Sequence, residues 1–177
     1  NMRPRRPPVA TYVLIVACCV AFALEAMLGT LGSAPAAEGG LAFGPFALVP
    51  ADFPGGRWWL GLLSHQFLHG GLLHIFFNMM WVRQLAGPVA ELFGAGRMIL
   101  IWTAASIVGF GLSSTASAFL PAIPILGSHA PFTVGASASI FGLLGALVCY
   151  GRRTGQRAMH QQVWTWAVVM FLFGAIM

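Results

Sequence analysis

"HQFLHGGLLHIFFN", residues 65 to 78, sets three histidines and an asparagine into a strongly apolar chain. A polar group taken out of water without a partner costs a few kcal/mol, roughly 2–7 depending on the reference state. His65, His69, His74 and Asn78 therefore need a reason to be there. The surroundings set the terms: 58% of the 177 residues are hydrophobic and only 7% are charged. Soluble domains carry about 25% charged residues, so the composition is that of an all-α polytopic membrane bundle. All nine basic residues are arginines that punctuate apolar runs, which argues for orientation in a bilayer and against nucleic acid. Cys18, Cys19 and Cys149 sit within apolar runs, in neither a disulfide framework nor a metal-ligand spacing, and read as packing residues.

A crossing helix needs about 20 apolar residues. Residues 9 to 29 supply the first, 70 to 87 the second, 98 to 118 the third and 135 to 150 the fourth. A fifth run starts near Val163. A signal peptide is the other reading of "RPRRPP" and the run after it, but the run is long for one and further spans follow. Asn1 precedes Met2 and Met177 halts the fifth run in mid-course, so the sequence reads as a piece of a longer chain. Residues 1 to 8 form a tail, and 9 to 177 form one membrane domain. With alternating spans, every arginine except Arg57 falls on the side of the N-terminus, which the positive-inside rule makes cytoplasmic. Residues 30 to 69 and 119 to 134 then face outward. The first of these loops carries "FGPFALV" and "RWWLGLL", whose Trp58 and Trp59 suit the membrane interface, and it is expected to lie partly in the bilayer.

His74 and Asn78, four residues apart, share one helical face near the outer end of the second span. His69, before "GG", lies in the chain entering that helix, with His65 one step earlier. Polar residues in a membrane commonly mark function, but interhelical hydrogen bonding explains such a pair too, and spacing leaves both readings open. A metal or haem site is a third reading, weakened because no Cys, Asp or Glu accompanies the cluster. The second feature is "VGASASIFGLLGALVCY", residues 134 to 150, in which Gly135 and Ser137 open the fourth span on the same outer side. A helix N-terminus offers free N–H groups that can hold an oxyanion. It also suits a serine that merely caps the helix. Ser139 would point about 200° away from Ser137. Gly135, Gly142 and Gly145 would let a neighbouring helix come close.

With these motifs in place, the chain resembles the rhomboid family of intramembrane serine proteases. The family carries H-x-x-x-x-H-x-x-x-N into its second core span, here His69, His74 and Asn78, and G-x-S-G at the start of its fourth, here Gly135, Ala136, Ser137 and Ala138. "GPVAELFG", residues 87 to 94, is similar to the family's cytoplasmic turn. The resemblance implies a rhomboid-like bundle of which about five of six core spans are present, in a bacterial plasma membrane. It implies Ser137 as nucleophile, an oxyanion site made by His74, Asn78 and the Ser137 N–H, support from His69 and Gly135, and no metal or cofactor. The histidine base would come from a sixth span beyond residue 177. His129 and His160 are placed in an outer and a cytoplasmic loop, unsuited to the role. Three departures stand out: Ala138 replaces the usual glycine, and Leu60 and Gly61 stand where the family has a Trp-Arg pair. Transmembrane protein substrates and the lipid bilayer are the implied partners, while oligomeric state and substrate identity are not encoded in any motif. The alternative function is a non-catalytic rhomboid-like protein that binds transmembrane helices.

Overall fold

A computed structural model of the chain describes residues 9–31, 58–119 and 135–176. Six α-helices are described: α1 (Val9–Leu31), α2 (Trp58–Ser64), α3 (Leu72–Phe93), α4 (Ala95–Phe119), α5 (Ser137–Arg153) and α6 (Arg157–Ile176). A 3₁₀ turn, His65–Phe67, links α2 toward α3, and there is no strand among the described residues. The all-helical reading holds, and the five long helices coincide with the five apolar runs. By length and composition alone, α1 and α4 qualify as membrane spans.

The side chains are distributed as lipid demands. On α1, Val9, Val13, Val16, Val20, Leu24 and Met27 are exposed, whereas Thr11, Leu14, Cys18 and Glu25 are buried against the bundle. The buried stripe follows helical spacing and includes the polar Thr11 and Glu25, the reverse of a soluble helix. α5 is the central element and packs on α3, α4 and α6. Its Ile140, Leu143, Leu144 and Leu147 meet Val82, Leu85, Ala86 and Val89 of α3 and Met98 and Trp102 of α4 in one apolar core.

Several boundaries differ from those expected. "GPVAELFG" is not a loop: α3 continues to Phe93, and the whole connection to α4 is Gly94. Gly94 has φ 91°, a conformation in which a side chain is strained, and its N–H bonds the Ala90 carbonyl at 2.9 Å. Pro88 is tolerated inside α3 because it is exposed, and the carbonyl it leaves unbonded belongs to exposed Gln84. Arg83 lies within α3. α6 begins at Arg157, six residues before its apolar run, so it is 20 residues long and His160 belongs to a helix, not a loop. Hydropathy marks the part of a helix that lipid surrounds; helical hydrogen bonding extends past it. α2, seven residues long, is too short to show a helical period in the sequence. The expectations for "FGPFALV" and for His129 fall outside the described residues.

The helices have two distinguishable ends. Phe93, beside Gly94, stacks edge-on against Tyr150 near the end of α5, with ring centroids 5.9 Å apart. Exposed Arg97, Arg152 and Arg153 gather at this end. At the other end, the Gly135 N–H donates to the His65 carbonyl at 2.9 Å, joining the 3₁₀ turn to the start of α5.

Candidate active site

The junction of Gly135 with His65 is built on a histidine whose two ring nitrogens are both occupied. His65 Nδ1 faces the Gly61 carbonyl, which can only accept, so Nδ1 carries the proton. Nε2 is then the acceptor for the Ser106 hydroxyl of α4, 3.0 Å away. The ring is fully buried and lies edge-on to Phe110, with centroids 3.7 Å apart. Burial pushes its pKa down to about 4, opposed by the bond to Gly61, so the ring is neutral at physiological pH. His65 thus ties the middle of α4, through Ser106, to the turn before α3. Gly61 takes part through its backbone carbonyl, one of the two positions where the family's Trp-Arg pair is missing.

His69 is the next fixed point. Its Nδ1 donates to the Phe67 carbonyl at 3.1 Å, and its backbone N–H donates to Glu25 Oε2 of α1 at 3.4 Å. Its pKa is lowered to about 4, first by burial and then by the neighbouring His74, against the bond to Phe67. The His69 and His74 rings meet edge-on with centroids 5.2 Å apart.

Gly135 closes the arrangement. With φ 119°, it takes a conformation that side chains rarely adopt. A Cβ there would lie 2.7 Å from both Cε1 and Nε2 of His74 and 3.5 Å from Nδ2 of Asn78. The His74 and Asn78 side chains are therefore packed onto the backbone two residues before Ser137. Asn78 is buried, and its Nδ2 has no hydrogen-bond acceptor among the described residues. An amide donor left in this condition costs about 1–3 kcal/mol, a cost that calls for an explanation.

Ser137 is the first residue of α5 and is half-buried. Ala136 holds the N-cap position, without a side-chain cap bond, so Ser137 does not cap the helix. This removes the capping explanation for that serine. Ser139 behaves differently: it is fully buried, and its hydroxyl donates to Gln66 Oε1 at 3.4 Å. The structure thus brings His69, His74, Asn78, Gly135 and Ser137 to one end of the bundle. Gly145, in contrast to Gly135 and Gly142, has no neighbour within 4 Å of where a Cβ would stand.

Three contributors had not been singled out. Gln66 ties α5 to the 3₁₀ turn through Ser139, donates to the Leu63 carbonyl at 2.8 Å, and offers its own carbonyl to Cys18 of α1 at 3.9 Å. Ser106 holds His65. Glu25, near the end of α1, accepts from the His69 N–H. Each is a polar residue within an apolar run, which is the signal that could have marked it. Among the described residues, no group of three or more potential ligands could hold a metal ion.

A family model for the rhomboid domain matches residues 55–177. The rhomboid protease GluP of Bacillus subtilis is 38% identical over 93 residues, which are 52% of this chain and 16% of that protein. The rhomboid protease GlpG of Pectobacterium atrosepticum is 28% identical over 120 residues, 67% of this chain and 38% of that protein. GlpG of Salmonella choleraesuis is 26% identical over 162 residues, 92% of this chain and 50% of that protein. The chain thus spans half or less of the length of these relatives. α1 lies before the matched region, while α2 to α6, with the histidines, the asparagine and Ser137, lie inside it. The chain is an integral membrane protein and belongs to the rhomboid family of intramembrane proteases.

Proposed function

We propose that the full-length protein is a serine endopeptidase that cleaves transmembrane protein substrates near the outer face of the membrane. The observation that carries this reading is the packing at Gly135: the His74 ring and the unpaired Asn78 amide stand against the backbone leading to Ser137. Ser137 Oγ attacks the substrate carbonyl carbon as a histidine from beyond residue 177 takes its proton. The carbonyl oxygen becomes an oxyanion held by Asn78, His74 and the Ser137 N–H, whose place in the first turn of α5 leaves it without an intrahelical acceptor. Collapse of this intermediate expels the amine, which leaves with a proton from the histidine, and water then releases the acyl group. A helical substrate hides its carbonyls in internal hydrogen bonds, so it must unwind at the bond to be cut.

The test is turnover per folded molecule in His74→Ala and Asn78→Ala of the full-length protein. Removing one oxyanion donor lowers turnover by about 10²–10³-fold, and each variant is expected to fold. If the two residues only pack helices, their loss costs about 0.6 kcal/mol each and leaves the folded enzyme active. Parental turnover in both variants sinks the oxyanion assignment.

The same reading orients the bundle. The end with Arg97, Arg152 and Arg153 faces the cytoplasm, which puts the N-terminus inside and residues 119 to 134 outside. With Cys18, Cys19 and Cys149 replaced, Ser128→Cys is expected to react with an impermeant thiol reagent in intact cells. Labelling only after lysis reverses the orientation.

A further inference from the structure

Four small residues bring α4 and α5 close together at two levels. A Cβ on Gly142 would overlap the Cβ of Ala105 and lie 3.4 Å from the Ile101 carbonyl oxygen. One turn away on each helix, a Cβ on Gly109 would lie 2.8 Å from the Cβ of Ala138 and 3.8 Å from its Cα. Ala105 and Gly109 are four apart on α4, Ala138 and Gly142 four apart on α5, and the pairing runs antiparallel. Each glycine therefore faces an alanine of the other helix. At each level there is room for one methyl group and not for two, since real Cβ atoms do not approach within 3.0 Å. Small residues at such a crossing let the backbones come close enough for dispersion contacts between them.

The outer level is the one that matters for chemistry. Ala138 directly follows Ser137 and stands where the family motif has glycine. On α4, Ser106 lies one turn before Gly109 and holds His65, whose carbonyl receives the Gly135 N–H. One turn of α4 thus fixes the chain on both sides of Ser137: Gly135 through Ser106 and His65, and Ala138 through Gly109.

We propose that Gly109 is a positioning residue for Ser137, its missing side chain providing the space that the methyl of Ala138 fills. With one methyl between them at this level, α5 stays close to α4. Pushing the helices apart at this level would draw Ser137 away from His74 and Asn78 while Ser106 still holds His65. A misplacement of about 1 Å can cost about 10²-fold in rate.

This inference rests on the protease reading, and a mutant cycle in the full-length protein separates the two. Gly109→Ala is expected to lower turnover per folded molecule by about tenfold or more and to lower the Tm in detergent. Ala138→Gly alone is expected to leave turnover within about threefold of the parent, because it only removes a methyl beside the nucleophile. The double variant Gly109→Ala/Ala138→Gly, which moves the methyl across the interface, is expected to recover both turnover and Tm. A Gly109→Ala protein with lowered Tm and parental turnover overturns the positioning role, and a double variant that recovers neither quantity overturns the pairing. If Gly109→Ala fails to fold, recovery of a folded, active double variant supports the pairing, and its absence overturns it. If the parent itself does not cleave, the protease reading and the positioning role fall together, while the Tm cycle still decides the contact.

Discussion

Cleavage of a transmembrane reporter is expected to fall to background when Ser137 of the full-length protein becomes alanine, with the bundle still melting at the parental temperature. The two halves of that result have separate causes. Losing the nucleophile of a serine protease costs about 10⁶-fold in turnover, which leaves no measurable product. Stability is little affected because Ser137 is half-buried and does not cap α5, so its hydroxyl plays no part in holding the described helices together. Alanine is also the better helix former. Ser139→Ala is the internal control. That hydroxyl is buried and bonded to Gln66 across the bundle, and losing it leaves the Gln66 carbonyl oxygen unpaired, at about 1–3 kcal/mol. Ser139→Ala should therefore lower the Tm and leave cleavage detectable. The reverse pattern, with cleavage surviving Ser137→Ala and lost in Ser139→Ala, would show that the nucleophile has been misassigned.

Gly135→Ala is expected to be nearly as damaging, by an entirely different route. The new methyl would meet the His74 ring at 2.7 Å, and the backbone at φ 119° is one that alanine resists. The backbone strain alone amounts to about 1–3 kcal/mol. Relief requires either His74 to leave its place beside Asn78 or the Gly135–Ser137 segment to move outward, and both separate the nucleophile from the proposed oxyanion donors. Turnover should fall by about 10²-fold or more, accompanied by a lower Tm. The Gly135 N–H bond to His65 would be strained in the same variant, so amide exchange at this position should accelerate. Turnover within about twofold of the parent would mean that His74 does not need Gly135, and the Gly135 contact would no longer support the site.

The elements that could be read from the sequence were those in which a polar residue interrupts an apolar run. His74 and Asn78 stood out because their spacing of four fixes a common helical face whatever the fold. Ser137 stood out because small residues surround it at the start of a run. The rotation of each helix about its axis was not legible, since an apolar run that meets lipid on one side and protein on the other has little contrast between its faces. For this reason Ser106, Gly109 and Gln66 could not be matched to His65, Ala138 and Ser139: each pair joins residues 29 to 73 positions apart. Glu25 shows the same limit, visible as a charge but not as the acceptor for His69, 44 positions away. Helix ends were misjudged at Phe93 and Arg157 because polar residues continue a helix outside hydrocarbon as readily as apolar ones.

The single residue between α3 and α4 bears on how the chain enters the bilayer. α3 carries His74, Asn78, Arg83 and Gln84, and a charged residue within a span raises the cost of insertion, by up to about 2.5–3.5 kcal/mol at the span's centre. α4 qualifies as a span by its own composition. Gly94 is too short a tether for one helix to enter lipid while the other waits in water. The partition equilibrium therefore belongs to the hairpin as a whole, and the apolar surplus of α4 carries the polar helix of the proposed oxyanion site into the membrane with it.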